Sequence, residues 1–234
     1  MSLSFWRRTN VLLLILACMA VASFAIWQFF ITARYGTYTT LASMIERGEA
    51  VSAAAVSDYA ARADALPATC RSDLLGAVIT VSMQNVEQMR SVGDQVGWIA
   101  SLRAMEPRLH RALACVPTDG MLWERLAVVR WFLGGSAQEQ ARLLTLSQAY
   151  APGELDVVRA RMVQWTRVTP AVVDLAQDAL GSDIRVTFGH SSAEAVEVMM
   201  RDMPASLQPL LKAAAADLPP DRAADLAKAG VTLP

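Results

Sequence analysis

Apolar positions along the chain fall into two regimes. From Val11 to Ile31 (VLLLILACMAVASFAIWQFFI) they form a run of 21 residues without a charge. At about 1.5 Å per residue, that length crosses a hydrocarbon core of about 30 Å. Beyond the run they recur every three or four residues. Leu75, Val78, Ile79, Ser82, Val86 and Met89 form one such series; after Ser91-Val92-Gly93-Asp94 the spacing resumes at Trp98, Leu102, Met105, Leu109, Ala112 and Val116. This is the period of helices with one buried face, and runs alternating at every second residue are nearly absent.

The pattern predicts an all-α chain: one transmembrane helix, then a helical domain. Helices are expected at 36–66, 71–91, 95–115, 119–133, 137–150, 154–166, 170–180, 191–202, 204–216 and 220–228, the first continuing the membrane helix. Ser136 with Glu139 and Ser191 with Glu194 have capping-box spacing, and Thr169-Pro170 sets a cap residue before a first-turn proline. Pro107 lies within the 95–115 pattern, where it kinks the helix or starts a new one. Ile184–Phe188 (IRVTF) has strand character and is expected to be a connector.

Arg7 and Arg8 precede the apolar run and only Arg34 follows it closely, which places the N-terminus in the cytoplasm and the bulk of the chain outside the inner membrane. Trp6 on one side, and Trp27, Tyr35 and Tyr38 towards the other, suit the two headgroup layers. A cleaved signal peptide at Ala20-Val21-Ala22 and a lipobox at Ile15-Leu16-Ala17-Cys18 are the alternatives. Either would leave Phe24, Ile26, Trp27, Phe29, Phe30 and Ile31 as an exposed apolar start, which an uncleaved span avoids. Within the span, Cys18, Ala22 and Ala25 share one face, a strip of small residues that lets a second helix approach closely.

With 54% hydrophobic and 18% charged residues and a net charge of -1, the chain lacks the basic surface of a nucleic-acid binder. Cys70 and Cys115 fall in the part expected to face an oxidising compartment, and their midpoint lies at the Gly93 interruption. A helical hairpin turning there would pair them in a disulfide.

Trp123, Leu126, Ala127, Leu144, Ser147 and Pro152 follow the order of a tetratricopeptide unit with one inserted residue at Gly134-Gly135, and Met89, Val92, Gly93, Leu109, Ala112 and Pro117 form a weaker copy. Over residues 70–181 the chain resembles the tetratricopeptide-like helical repeats, although Arg130 stands where the family has an aromatic. The single anchor, the Cys-x-Pro-x-Asp-x-x-x-Trp segment at Cys115–Trp123 and the Ser-x-x-x-Ala-Pro-x-Glu segment at Ser147–Glu154 also look like small uncharacterised envelope-polysaccharide proteins. The implied layout is a cytoplasmic stub (1–10), a span (11–31), a membrane-proximal helix (32–69), repeats (70–181) and a C-terminal helical cap (182–234).

Candidate chemistry is sparse. His110 and His190 are the only histidines, and no metal, phosphate-loop or nucleophile-elbow motif is present. Asp183, His190 and Ser191 are the nearest approach to a nucleophilic set, but Ser191 is already explained as a helix cap and adjacent side chains diverge. His110 and Glu106 share a helix face without a third ligand. Trp98, Trp123, Trp131 and Trp165 read as core, and Arg130, Arg159, Arg161 and Arg167 as a solvated face. No catalytic residue, metal or cofactor is therefore expected. The expected role is a non-catalytic scaffold subunit of a bacterial envelope complex, in polysaccharide synthesis or export. It would meet an integral membrane protein or a second copy through its span, and other envelope proteins through its helical domain. The alternative is an envelope glycan- or peptide-processing enzyme using Asp156, Asp174, Asp178 and Asp183.

Overall fold

The computed structural model describes the backbone from Leu3 to Pro234 and side chains from Asn10 onward, so Trp6, Arg7 and Arg8, on which the orientation partly rests, lie outside the described side chains. The protein is 80% helix, with no strand among the described residues. The α-helices are α1 (Leu3–Glu46), α2 (Ala53–Arg62), α3 (Ser72–Ser91), α4 (Gln95–Cys115), α5 (Gly120–Phe132), α6 (Ala137–Tyr150), α7 (Leu155–Trp165), α8 (Pro170–Leu175), α9 (Gln177–His190), α10 (Ala193–Asp202), α11 (Gln208–Ala216) and α12 (Pro220–Lys228). They divide into a compact unit through Asp94 and another of residues 95–234. The first unit includes residues 70–94, and residues 181 and 182 both lie in α9.

In the first unit, α1 has two unlike stretches. Val11 to Phe30 present large apolar side chains outward, and the helix is long and apolar enough to cross a membrane. Farther on, Ile31, Tyr35, Tyr38 and Ala42 form a buried stripe against Val56, Ala63, Leu74, Ala77, Val78 and Val81, so the same helix ends as a core element of a bundle with α2 and α3.

Tyr35 and Tyr38 are therefore core residues, 3% and 2% exposed, and not the aromatic belt expected of them. Burial is tolerated because each hydroxyl donates to a carbonyl, Tyr35 to Pro67 at 2.6 Å and Tyr38 to Tyr59 at 2.7 Å. The expected single helix 36–66 also breaks. Gly48, at φ +69°, accepts the left-handed conformation while its N–H bonds Ile45 O and that of Glu49 bonds Met44 O, a Schellman termination that a residue with a Cβ resists. Gly93, at φ +74°, ends α3 in the same way.

In the second unit, α4 packs on α5, α5 on α6 and α7, α7 on α9, and α9 on α11. Pro107 lies inside α4 on its exposed side. Ser136 caps α6 as expected, its Oγ accepting the Glu139 N–H at 3.2 Å. The next capping box shifts by one residue. Ser191 N–H is taken by Thr187 O as α9 ends, so Ser192 accepts Ala195 N–H instead.

The expected helix 170–180 breaks at Ala176, and Ile184–Phe188 is helical rather than a connector. Leu180, Ile184, Thr187 and Phe188 are buried together at helical spacing, and packing that face outweighs the β-branched preference of the segment.

Two helices of this unit approach closely at Gly120. A Cβ there would lie 2.4 Å from the Ala151 Cβ, 2.8 Å from Ser147 O and 2.9 Å from Ala151 N, so the start of α5 meets the end of α6 almost backbone to backbone. Gly120→Ala is expected to cost about 2 kcal/mol by overpacking, read as a lower thermal midpoint; an unchanged midpoint would refute that packing.

Candidate functional site

Residues 95–234 contain a buried polar cluster centred on Arg161 of α7. Helix α7 turns Arg161 inward with Val157, Val158 and Trp165, so the guanidinium is wholly buried. Its Nε and Nη2 bond the two Asp183 oxygens of α9 at 2.8 and 2.7 Å. Nη1 reaches Ser147 O and Oγ, both at 3.1 Å, and Nη2 also reaches Ala151 O at 3.0 Å. The Trp165 indole N–H donates to Asp183 Oδ2 at 2.9 Å, and Ser147 Oγ donates to Gly120 O at 2.7 Å.

The cation thus meets a carboxylate bidentately and sits at the C-terminal, electronegative end of α6. Every member has its partners within the protein, so the cluster joins α5, α6, α7 and α9 and leaves no open valence for a ligand. Its neighbour Glu124, on the buried face of α5, has its carboxyl pushed up to about 7 by loss of solvent, which outweighs the attraction of Arg125, Arg161 and Arg167.

Arg130 is a second cross-link. Its Nε and Nη2 clasp Glu139 of α6 at 2.8 and 2.9 Å, while Nη1 holds Glu106 of α4 at 2.9 Å. Both carboxylates hold this guanidinium above its ordinary pKa, chiefly through the Glu139 hydrogen bond. The residue that departs from the repeat pattern thus ties three helices together. Two of the four arginines read as a solvated face, Arg130 and Arg161, are instead structural ties. At Arg161 the signal available in sequence was its place in the apolar series Val157, Val158, Arg161, Met162, Trp165.

Beside the cluster lies a groove of about 450 Å³. Helix α7 supplies Arg159, Met162 and Val163, the turn just past it supplies Arg167, and α10 supplies Glu194, Val198, Met199 and Asp202. The apolar side chains Val163 and Val198 are 46% and 39% exposed. The α7 wall is basic and the α10 wall acidic, with an apolar strip between them.

The set Asp183, His190 and Ser191 is not assembled, since Asp183 is sealed against Arg161 while His190 is exposed. Asp156, Asp174 and Asp178 lie on the surface. His110 is exposed and Glu106 is held by Arg130, and no group of three metal-ligating side chains occurs among the described residues.

Of the repeat positions, Leu126, Ala127, Leu144 and Ser147 are buried, Trp123 is half-buried with its indole N–H on Pro117 O at 2.8 Å, and Pro152 is exposed just past α6. Cys70 and Cys115 are disulfide-bonded. Cys18 is a free thiol, exposed on the span with Ala22 and Ala25. Comparison with protein families, curated proteins and solved structures finds no match.

Proposed function

We propose that this chain is a single-pass inner-membrane protein, N-terminus in the cytoplasm, whose helical part outside the membrane assembles a larger envelope complex without performing chemistry. The observation that carries this reading is the continuity of α1. One helix of 44 residues is span at one end and bundle core at the other, so the membrane segment and the first unit form one mechanical piece. A flexible tether suffices to localise an enzyme. A rigid one transmits position and orientation, which suits an assembly element.

The second unit supports a repeat-like reading. Helices α5 and α6 pair, α7 and α9 pair, and α5 lies beside α7 as α6 lies beside α9, the order of stacked helix pairs. The groove between α7 and α10 suits an amphipathic helix of a partner protein. Its apolar stripe would cover Met162, Val163, Val198 and Met199, with acidic residues on the flank facing Arg159 and Arg167 and basic residues on the flank facing Glu194 and Asp202. The exposed Cys18, Ala22 and Ala25 face offers a second contact, for another membrane helix. Polysaccharide synthesis or export is the pathway suggested by the resemblance alone.

Affinity purification of the full chain in mild detergent is expected to recover a stoichiometric membrane protein, and Val198→Asp to reduce that recovery on the order of tenfold or more by setting a charge in the apolar stripe. A solitary wild-type monomer would sink the scaffold reading, and recovery unchanged by Val198→Asp would remove the groove from it.

A further inference from the structure

The first unit begins where the hydrocarbon ends. Val11 to Ile31 spans the core, at about 1.5 Å per residue over about 30 Å, and Ile31 is also the first residue of the buried bundle stripe. No spacer separates the two. Each headgroup layer adds roughly 5–7 Å, or about four residues of helix, so the layer covers Thr32 to Tyr35.

Two hydrogen bonds pin another part of the chain at that level. Arg71 Nη1 donates to Thr32 Oγ1 at 2.8 Å, and Tyr35 OH donates to Pro67 O at 2.6 Å. Helical side chains lean towards the helix N-terminus, here towards the bilayer, so Pro67 lies no farther from the membrane than Tyr35 itself. The order of contacts gives the path: Tyr38 meets Tyr59, Tyr35 meets Pro67 and Thr32 meets Arg71. As α1 leaves the membrane, the α2 segment returns to it, turns at Pro67–Arg71 and leaves again as α3.

That turn suits an interface. Pro67, Ala68 and Cys70 are exposed, and Leu66 to Cys70 carries no charge. Arg71 follows at once, clasped by both oxygens of Asp73 at 3.2 and 2.6 Å. The tyrosines that would otherwise furnish an interfacial belt are enclosed in the bundle.

We infer that the Leu66–Arg71 turn is a second membrane-contact site, seated in the phospholipid headgroup layer beside the exit of α1. The inference rests on the reading of α1 as a span. Two contacts at one level fix the tilt of the first unit on the bilayer, where a lone helix would leave it free to lean.

The test is photo-crosslinking of the full chain in phosphatidylcholine vesicles, with p-benzoylphenylalanine placed singly at Val21, Ala68 or Glu49 and lipid adducts read by mass spectrometry. Val21 reports the span. Glu49, at the far turn of the bundle, lies just past the end of α1, roughly 22 Å beyond Ile31 along the helix direction. Adducts at 21 and 68 but not at 49 are expected. Adducts at 21 alone would overturn the turn's membrane contact while leaving the span intact, adducts at neither 21 nor 68 would overturn both, and equal adducts at 49 and 68 would overturn the proposed geometry.

Discussion

Arg161→Ala is expected to destabilise the unit of residues 95–234 by about 3–5 kcal/mol, the loss typical of breaking a buried ion pair from one side. The substitution leaves Asp183, which has no exposed surface, as an unpaired carboxylate inside the protein. It also removes the donors to Ser147 O and Ala151 O at the end of α6. A lysine is a poor replacement, because one ammonium cannot reach both Asp183 oxygens and the two carbonyls in the geometry of a planar fork.

The double replacement Arg161→Met with Asp183→Leu separates these contributions. It removes both charges and should be milder than Arg161→Ala, although Ala151 O and the Trp165 N–H still lose partners, while Ser147 O keeps the Ala151 N–H. Circular dichroism melts of the full chain in detergent would show two transitions or a lowered one for the single variant. A single variant within about 1 kcal/mol of wild type would mean that the buried pair is not the centre of this unit.

Raising the pH is expected to weaken the same unit through Glu124. Its carboxyl titrates near 7 in the folded chain against an ordinary value of 4.5, so between those values the folded state keeps a proton that the unfolded state has released. Stability therefore falls as pH rises through that window and levels off above it. The total is roughly 3 kcal/mol. Arg125, Arg161 and Arg167 moderate the effect without cancelling it.

Glu124→Gln keeps the shape and removes the titration. The variant should gain on wild type at pH 8 and lose that advantage at pH 4.5. Urea midpoints measured for both proteins across this range give the difference directly. Parallel curves would show that Glu124 is solvated or already ionised.

What was legible in the chain depended on how local the deciding physics is. The span, the helical class and most helix ends rest on length, period, caps and glycines, and α3, α4, α6 and α12 fall where those signals put them to within a residue. The misplaced elements are those where neighbours decide. Ile184–Phe188 is drawn into α9 because its apolar side chains meet a core from elsewhere in the chain. Tyr35 and Tyr38 suit a headgroup layer equally well as a bundle interior, and only Pro67 and Tyr59 choose between the two.

By itself, the sequence determined that this protein carries one apolar span, is built of helices, has two cysteines outside that span and has few groups suited to catalysis. Each of these is a property of composition or short-range spacing. Only the tertiary structure decided that the span continues into the core of its own first unit, that Arg161 and Arg130 are ties instead of surface charges, that Asp183 is closed off, and that α7 and α10 frame an open groove. The reason is that charge and hydropathy set what a side chain costs to bury, whereas the partner that offsets that cost comes from a distant segment, such as the 22 residues from Arg161 to Asp183 or the 32 from Tyr35 to Pro67.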